Sequence, residues 1–398
     1  MAAEEPVGMP PLSDGGADAL AWLERMRAER PLWADERGVY HVFRYEDVQA
    51  VMSDPARFSS NIGRVMPGFD PEQVSANLAS QDPPEHRLLR QLVSQAFTPR
   101  TVSGLRPRIA EITRELLAAV PGDEFDFVEH VASPLPVTVI AELLGVSPGD
   151  RAFFRSCADA LLGTRAKAVS AAEHTRALAE ANKALQEYLS AEARRRRADG
   201  SGGLIGALAA AELDGRRLTD VQVATFSGLL LTAGHLTITL LLGNTLLALR
   251  DAPEVEARLR EDRSALPAAL EESLRLRPPF HRVVRVSTQD VEIAGGVIPA
   301  DRLVMASTLS ANHDDRQFPD PRRFDVDRHP NRHLGFGHGI HFCLGGPLAR
   351  AETEIALNLL FDEFTGIEVS GRPGLHDSLF YGPQQQTGCG RPAARARG

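Results

Sequence analysis

Cysteine is scarce in this chain of 398 residues, which contains only Cys157, Cys343 and Cys389. An odd and widely spaced set does not build a disulfide framework, so the sequence predicts a protein of the reducing cytoplasm. The first residues also lack a basic segment followed by an apolar run. We therefore expect neither a signal peptide nor a membrane anchor at that end.

An excess of positive charge is missing as well. The formal net charge is −9, with 44 Lys and Arg residues against 53 Asp and Glu residues. Because nucleic-acid binding needs clustered cations that neutralise phosphates, this balance argues against a nucleic-acid-binding protein. The chain has no repeat of fixed period. We expect one domain over residues 1–398, with flexible tails at 1–20 and 388–398.

Helical periodicity dominates the rest of the sequence. Amphipathic helical patterns occupy residues 85–97, 106–120, 171–197, 265–277 and 347–364. Strand patterns are short, and they fall at residues 38–43, 282–300, 303–307 and 366–370. The sequence therefore predicts a mainly α fold (α+β) with a small β-sheet region.

One long stretch, from Val221 to Leu249, contains no Asp, Glu, Lys or Arg. Its length is sufficient to span a membrane. However, it contains several Thr residues together with Ser, Gln, Asn and His, and it follows a capping box at Thr219 and Gln222. We expect a buried helix about 45 Å long that crosses a soluble domain, at ~1.5 Å per residue.

The densest chemistry lies in the segment HLGFGHGIHFCLGGPLAR at 333–350. Five glycines surround Cys343 and permit tight turns and close approach to a flat ligand. A helix that starts near Leu344 would help to stabilise a thiolate. Taken alone, the segment allows a thiolate-ligated haem or a glycine-rich loop around a buried cysteine. It also allows a zinc site built from His333, His338, His341 and Cys343.

This segment resembles the haem-binding loop of the cytochromes P450. The family pattern Phe-x-x-Gly-x-x-x-Cys-x-Gly is met by Phe336, Gly339, Cys343 and Gly345. Three further matches follow the family's order along the chain: DPPEHRLLR at 82–90, EESLR at 271–275 and FPDPRRF at 318–324. The likeness extends over residues 30–385 and is closest to soluble bacterial members. It implies the P450 fold, with a long central helix over the haem.

The resemblance assigns roles around the haem. It implies that Cys343 is the proximal ligand of the iron, in a loop to which Phe336 and Gly345 belong. Haem b carries two propionate groups, which need cations and hydrogen-bond donors in a buried pocket. The positions that match the family's propionate ligands are His86, Arg90, Arg285 and His341.

The resemblance also implies a buried network that locks the scaffold of the haem loop. Its members are Glu272, Arg275 and Arg323. Spacing alone would make Glu272 and Arg275 an ordinary surface pair on a helix.

The family places its oxygen-activation groove on the long helix, with the pattern Ala/Gly-Gly-x-acid-Thr. Ala233 and Gly234 match the small residues that leave room for O2, and Thr237 supplies the hydroxyl for proton delivery. The acid is absent, because Leu236 occupies its position. The resemblance therefore leaves the protonation route open. Three outcomes stay open: water, Thr239 or a hydroxyl of the substrate replaces the acid, NAD(P)H use is poorly coupled to product, or the reaction needs less help from an acid.

A haem-thiolate monooxygenase is the function that the resemblance implies. It would hydroxylate or epoxidise a medium-to-large apolar small molecule, such as a polyketide or another secondary metabolite, using O2. We expect the loop at 61–80 and six further residues to line the substrate pocket. The six are Leu229, Leu230, Leu236, Val283, Val284 and Gln385.

Electrons must come from another protein, because the chain shows no flavin or iron–sulfur motif. The resemblance implies a ferredoxin and its NAD(P)H-dependent reductase as partners of a monomeric, cytoplasmic enzyme. A basic docking surface is expected at Arg87, Arg100, Arg106 and Arg350.

Three other classes of protein remain possible from the sequence. One is a P450-fold enzyme that crosslinks, isomerises or uses peroxide instead of hydroxylating. The second is a non-catalytic haem or metal binder. The third is a membrane protein that uses the stretch from Val221 to Leu249 as its span.

Overall fold

Helices dominate the computed structural model, which describes residues 8–10, 16–66, 77–94, 98–122, 124–162, 171–200, 202–213, 215–369, 379–383 and 386–392. The α-helices of these residues are α1 (Ala17–Glu29), α2 (Tyr45–Ser53), α3 (Glu85–Ser94), α4 (Pro99–Ala118), α5 (Pro134–Leu144), α6 (Arg151–Leu162), α7 (Ala171–Asp199), α8 (Gly203–Ala210), α9 (Asp220–Asp251), α10 (Pro253–Glu261), α11 (Leu266–Leu276), α12 (Thr308–Asn312) and α13 (Gly346–Glu363). The mainly α prediction is confirmed.

The strands are short. They are β1 (Leu32–Ala34), β2 (Tyr40–Val42), β3 (Phe58–Ser59), β4 (Glu124–Asp126), β5 (Glu212–Leu213), β6 (Arg216–Arg217), β7 (Val283–Ser287), β8 (Val291–Ile293), β9 (Gly296–Ile298), β10 (Leu303–Ala306), β11 (Phe364–Val369) and β12 (Thr387–Pro392). The largest sheet has the order β1-β2-β10-β7-β3, and a second has the order β11-β12-β4. Only the β2–β10 pair of these sheets is parallel. All four predicted strand regions contain strands.

The uncharged stretch of the sequence forms α9, which runs through the interior. It begins at the predicted capping box, where Gln222 N donates to Thr219 Oγ1 at 3.1 Å and Thr219 N donates to Gln222 Oε1 at 2.9 Å. By length and composition the helix would span a membrane, yet two-thirds of its most apolar window (67%) is buried inside the fold. It packs against α5, α7, α11 and α13. The prediction of a buried central helix is confirmed.

Parts of the two predicted flexible tails are ordered elements. Residues 17–20 form the first turn of α1, because the fully buried Ala19 packs in one apolar cluster with Trp22 and Leu23. At the other end, β12 lies between β11 and β4 and pairs with both strands. Strand β12 pairs with β11 over residues 388–392 and with β4 over residues 387–389. Parts of both expected tails therefore belong to a helix and a strand, and the flexibility of the tails remains a prediction.

Helix α13 carries a carboxylic acid in an unusual environment. Glu352 is fully buried, and among the described residues neither carboxylate oxygen has a hydrogen-bond partner. Burial without a partner disfavours the charged form and raises the pKa of Glu352 to about 8. The folded protein therefore holds a proton on Glu352 at neutral pH, which the unfolded chain releases.

This difference predicts a pH dependence of stability. Between pH ~4.5 and ~8 the folded state binds one proton more than the unfolded state, so Glu352 makes the free energy of unfolding fall by about 1.4 kcal/mol per pH unit as pH rises. Glu352→Gln should flatten the stability profile by that slope and stabilise the protein at pH 8, as read from urea unfolding. Glu354→Gln, at a half-exposed position paired with Arg106, is the control. Parallel profiles for wild type and Glu352→Gln would contradict the assignment.

Candidate functional site

A buried ion pair on α11 anchors the segment that leads to the cysteine loop. Arg275 donates to both carboxylate oxygens of Glu272 at 2.8 Å, and both side chains are fully buried. The remaining N–H groups of Arg275 donate to the carbonyls of Asn312 (2.9 Å), Pro321 (2.7 Å) and Arg323 (3.0 Å). One guanidinium thus ties α11 to three points of the chain between residues 312 and 323.

Two of the three residues expected in the network, Glu272 and Arg275, are joined through their side chains. Arg323 contributes only its backbone carbonyl, and its side chain is exposed. The second cation is Arg328, whose Nε donates to Glu272 Oε1 at 3.0 Å and whose side chain is only 7% exposed. Asn331 Nδ2 donates to the other oxygen at 3.1 Å. The chain turns after Arg323, so the arginine that reaches the carboxylate is the one five residues further on.

The cysteine loop is built from close backbone contacts. Cys343 N donates to the carbonyl of Phe336 at 2.8 Å, which closes the loop at its base. Gly339 has φ +67°, and a Cβ there would lie 2.8 Å from the carbonyl oxygen of Met52. A side chain at this position would push the loop away from α2. Gly339 therefore fixes the path of the loop where it passes α2.

Cys343 sits just before the start of α13. Burial raises the pKa of its thiol, while the backbone amides of Gly345 and Gly346 and the guanidinium groups of Arg90 and Arg350 act in the opposite direction. These amides and cations are the groups that a thiolate needs once a metal ion has taken the proton. The site is therefore suited to a sulfur that ionises when it binds iron.

The zinc alternative has no support in the structure. Each of its three imidazoles has another partner: His333 Nε2 lies 3.1 Å from Glu271 Oε2, His338 Nδ1 lies 2.8 Å from Ser53 Oγ, and His341 Nε2 lies 2.8 Å from Ser60 Oγ. Over the part of the chain that the structure describes, no three His, Cys, Asp or Glu side chains are placed to hold a metal ion.

The four predicted propionate ligands converge beside the cysteine loop. The rings of His86 on α3 and His341 have centroids 4.4 Å apart. Arg90, one turn after His86, donates to the carbonyl of Phe342 at 2.7 Å. Burial and the positive charge of Arg285, with smaller effects of His86 and Arg90, lower the pKa of His341 to about 3. Three elements distant in sequence thus place these groups together.

The arrangement fits a ligand that carries two carboxylates. His86 is 3% exposed, and its Nε2 has no hydrogen-bond partner among the described residues. Arg285 is 9% exposed, and burial lowers its pKa. Within the described ranges, neither Arg285 nor Arg90 forms an ion pair with a carboxylate of the protein. Buried cations need counter-charges, and haem propionates would supply them.

Sequence reasoning missed a support for this cluster. Asp82 accepts hydrogen bonds from Ser59 Oγ and from Ser60 N (2.9 Å), and the Ser60 hydroxyl lies 2.8 Å from His341 Nε2. This chain of contacts orients the imidazole of His341. The motif DPPEHRLLR contains the carboxylate, but the sequence gives no sign that it holds two serines some twenty residues earlier.

The predicted oxygen groove lies on a partly open face of α9. Ala233 is exposed and Thr237 is half-exposed, although both lie in a helix whose other faces are buried. The Thr237 hydroxyl donates to the carbonyl of Ala233 at 2.5 Å, which is the usual bond of a helical threonine. Gly234 faces α5, where a Cβ would lie 2.9 Å from Ile140 Cδ1. Helix packing therefore explains this glycine, and the role of all three residues toward O2 remains a prediction.

Leu236, at the position where the family has an acid, and its neighbours His235 and Thr239 are buried in contacts with other parts of the protein. Leu236 is 3% exposed. His235 is fully buried with its Nε2 3.0 Å from Ser133 Oγ, and burial lowers its pKa to about 4. Thr239 donates to the carbonyls of Ala132 and His235, both at 3.0 Å. Thr239, named above as a replacement for the acid, therefore links α9 to the π-turn Val128–Ala132 instead of facing the groove.

A cavity of about 290 Å³ adjoins the N-terminal half of α9. Of the predicted pocket residues, Leu229 lines it, together with residues from both described ends of the loop at 61–80. Leu230, Val283 and Val284 are half-buried but do not line this cavity. Gln385 and residues 67–76 lie outside the described residues. The polar residues of α7 and α9 that line the cavity were not predicted, because they lie outside the motifs recognised in the sequence.

The predicted basic docking surface is only partly available. Arg87 and Arg100 are exposed. Arg106 is exposed but pairs with Glu354 at 3.2 Å. Arg350 donates to both oxygens of Glu271 (2.6 and 2.9 Å) and lies over the Phe336 ring at 4.4 Å. Arg350 therefore supports the cysteine loop.

Comparisons with known proteins agree with this geometry. A family model described as Cytochrome P450 matches residues 166–374. The chain is 44% identical over 364 residues to the cyclomarin C epoxidase CymV of Salinispora arenicola, covering 90% of this chain and 92% of the relative. It is 46% identical over 352 residues to the erythromycin C-12 hydroxylase of Saccharopolyspora erythraea, covering 88% of each. The ligand-free structure of cytochrome P450 TbtJ1 superposes with a TM-score of 0.90 at 48% identity, over 96% of this chain and 100% of that chain.

The unpaired cation Arg285 makes haem retention testable. Arg285→Met keeps an unbranched apolar stem but removes the guanidinium group and its charge, and a charge-assisted hydrogen bond contributes about 1.5–3 kcal/mol. We expect haem to pass to apomyoglobin at least tenfold faster from this variant than from wild type. The exposed Arg87→Met is the control. Equal transfer rates for Arg285→Met and Arg87→Met would exclude Arg285 as a propionate ligand.

Proposed function

The chain belongs to the cytochrome P450 family of haem-thiolate monooxygenases, and from this premise we propose that it hydroxylates or epoxidises a secondary metabolite of medium to large size. Its relatives include a hydroxylase and an epoxidase named for secondary metabolites. Family members bind haem through a cysteine thiolate, and bound haem supplies the activation of O2. The protein's part is to hold the haem, orient the substrate and control water.

The observation that carries the proposal is the meeting of Cys343 with the four propionate-type ligands. A thiol flanked by the amides of Gly345 and Gly346 lies near the buried guanidinium of Arg285, the half-exposed guanidinium of Arg90 and the unpartnered Nε2 of His86. A haem would satisfy both halves of this arrangement at once. Cys343 would ligate the iron, while His86, Arg90, Arg285 and His341 would hold the propionates.

On the opposite side of the haem, the face of α9 with Ala233 and Thr237 would border the reacting centre. Thr237 would pass protons from its hydroxyl, which has to leave the carbonyl of Ala233 to do so. Leu236 presents an apolar, buried side chain at the acid position. Proton delivery would then depend on Thr237 with water or with a hydroxyl of the substrate.

A ferredoxin and its NAD(P)H-dependent reductase would supply the electrons to a monomeric cytoplasmic enzyme. The exposed Arg87 and Arg100 would contribute to docking of an acidic ferredoxin, because opposite surface charges steer association. Arg106 and Arg350 would contribute less, since carboxylates of the protein already pair with them.

A non-hydroxylating oxidation is the second candidate. Two observations favour it: the Thr237 hydroxyl is bonded within the helix, and the acid position holds the buried Leu236. Both weaken the expected delivery of protons. A reaction with labelled O2 distinguishes the two candidates, because a monooxygenase leaves one labelled oxygen atom in the product and a crosslinking oxidation leaves none.

Variants of Thr237 and Leu236 test the proton route. With ferredoxin, reductase and NADPH, Thr237→Ala should lower product formed per NADPH severalfold and raise hydrogen peroxide, because the hydroxyl is lost. Thr237→Ser should restore coupling. Leu236→Glu should improve coupling over wild type, whereas Leu236→Gln has the same size without the acid and should not. If Thr237→Ala left both product and peroxide unchanged, Thr237 would have no role in proton delivery.

A further inference from the structure

The cavity beside α9 is bounded by segments that lie far apart in the sequence. Two short 3-10 turns, Ile62–Arg64 and Leu78–Ser80, form one side. Helix α7, the end of α6 and the first half of α9 form the other sides. The residues that line it are Asn61, Ile62, Gly63, Asn77, Ser80, Leu161, Asn182, Leu185, Gln186, Thr225, Gly228, Leu229 and Thr232.

Most of the lining surface is apolar, and the polar side chains in it are uncharged. It includes four side-chain carboxamides, from Asn61, Asn77, Asn182 and Gln186, and three hydroxyl groups. None of the described lining residues is charged. Carboxamides offer both donors and acceptors, and without a counter-charge the cavity disfavours an ionic group. Its surface is therefore complementary to neutral hydrogen-bonding groups.

Two oxygen atoms at this cavity have no hydrogen-bond partner among the described residues. They are Asn61 Oδ1 and Thr225 Oγ1. Buried polar atoms are almost always paired, and an unpaired one needs an explanation. Asn61 Oδ1 only accepts hydrogen bonds, so the group it lacks is a donor. The Thr225 hydroxyl accepts as well as donates, so the same kind of group satisfies it.

Thr225 differs from every other threonine of α9. The hydroxyls of Thr232, Thr237, Thr239 and Thr245 each donate to the carbonyl four residues earlier, at 2.5–3.1 Å. Thr225 makes no such bond in the structure. The Thr225 hydroxyl therefore lacks the hydrogen bond to the carbonyl four residues earlier that a helical threonine usually makes.

Gln186 brings a donor to the same place. Its Nε2 packs against Gly228, where a Cβ would lie 3.1 Å from it. Gly228 thus lets the amide of α7 approach α9 one turn after Thr225. Donor and acceptor groups from the two helices lie side by side at this end of the cavity.

The position of this cluster along α9 sets the size of the ligand. Thr225 precedes Thr237 by twelve residues, which corresponds to about 18 Å along the helix axis. A substrate that reacts beside Thr237 and also reaches Thr225 must be elongated or large. This distance agrees with the medium-to-large size expected above.

We propose that the cavity at Thr225, Asn61 and Gln186 is a specificity subsite for an uncharged part of the substrate that carries hydrogen-bond donors. Amide N–H groups and hydroxyl groups share this chemistry. Charged amines and carboxylates are disfavoured, because none of the described lining residues carries a counter-charge. The proposal deepens the proposed function and rests on it, since the reacting part of the substrate must lie at the haem.

Imidazoles with long N-alkyl chains test the subsite in the holoenzyme. The imidazole ligates the haem iron and shifts its absorption band, while the chain (octyl to tetradecyl) carries a terminal methyl, hydroxyl, carboxamide, carboxylate or trimethylammonium group toward the cavity. We expect the hydroxyl or carboxamide probe to bind at least fivefold tighter than both charged probes of equal length. A gain for the carboxamide alone indicates a peptide-like substrate, and a gain for the hydroxyl alone indicates a sugar or polyol.

The variant Thr225→Val keeps the side-chain shape and removes the hydroxyl. It should weaken the favoured neutral probe threefold to tenfold, the range expected for one hydrogen bond, and leave the methyl probe unchanged. Its thermal midpoint should not fall, because the lost oxygen was unpaired. Thr113→Val is the control: that hydroxyl donates to the Ile109 carbonyl at 2.8 Å outside the cavity. It should lower the midpoint without changing the ranking of the probes.

Failure of the subsite and failure of the proposed function give different results. Equal affinities for all five probes, a preference for a charged probe, or a preference that survives Thr225→Val would overturn the subsite while the shifted haem band remains. Absence of any shifted band would count against the haem site itself. Calorimetric titration then still ranks the probes, because it does not depend on the band.

Discussion

The buried pair of Glu272 and Arg275 is the interaction on which the proximal side of the protein depends. Every N–H group of Arg275 that points away from Glu272 binds a carbonyl of the segment at 312–323, and Glu272 holds Arg328 and Asn331 just before the cysteine loop. Loss of one partner from a fully buried pair typically costs about 3–5 kcal/mol, because the other charge stays uncompensated. Because of this cost, the chain between α11 and Cys343 is held in one position. A metal ligand needs a support that keeps its position fixed.

Different faces of α9 have different surroundings. Gly234 meets Ile140 of α5, and His235 and Thr239 bind the turn before α5, so one side of the helix is committed to packing. Ala233 and Thr237 form a face that remains open. Thr225 and Gly228 contribute polar groups at the far end. Some of the polar residues that made this apolar stretch unusual therefore pack within the core, and we propose that others contact small molecules.

Motifs with fixed chemistry were predictable from the sequence, and contacts made by the backbone were not. Thr219 and Gln222 form the capping box that their sequence pattern predicted. Cys343 lies near His86, Arg90, Arg285 and His341, which the resemblance had named together. The expectation that the Arg323 side chain joins the network was wrong, because only the backbone carbonyl of Arg323 does so. Residues 17–20 and 388–392 were assigned to tails because helix packing and strand pairing there depend on distant parts of the chain. The loop at 61–80 and Leu229 were expected at the substrate pocket, but the contribution of Thr225 and of α7 could not be predicted, since it depends on how α7 and α9 pack together.

The absorption spectrum of the reduced, carbon monoxide-bound protein tests the central claim that Cys343 binds haem as a thiolate. The account predicts a coloured protein whose main band lies at the long wavelength typical of thiolate ligation, and the loss of that band in Cys343→Ala. A colourless protein that contains zinc would contradict the haem site. A thiolate-type spectrum that persists in Cys343→Ala would contradict the assignment of the ligand.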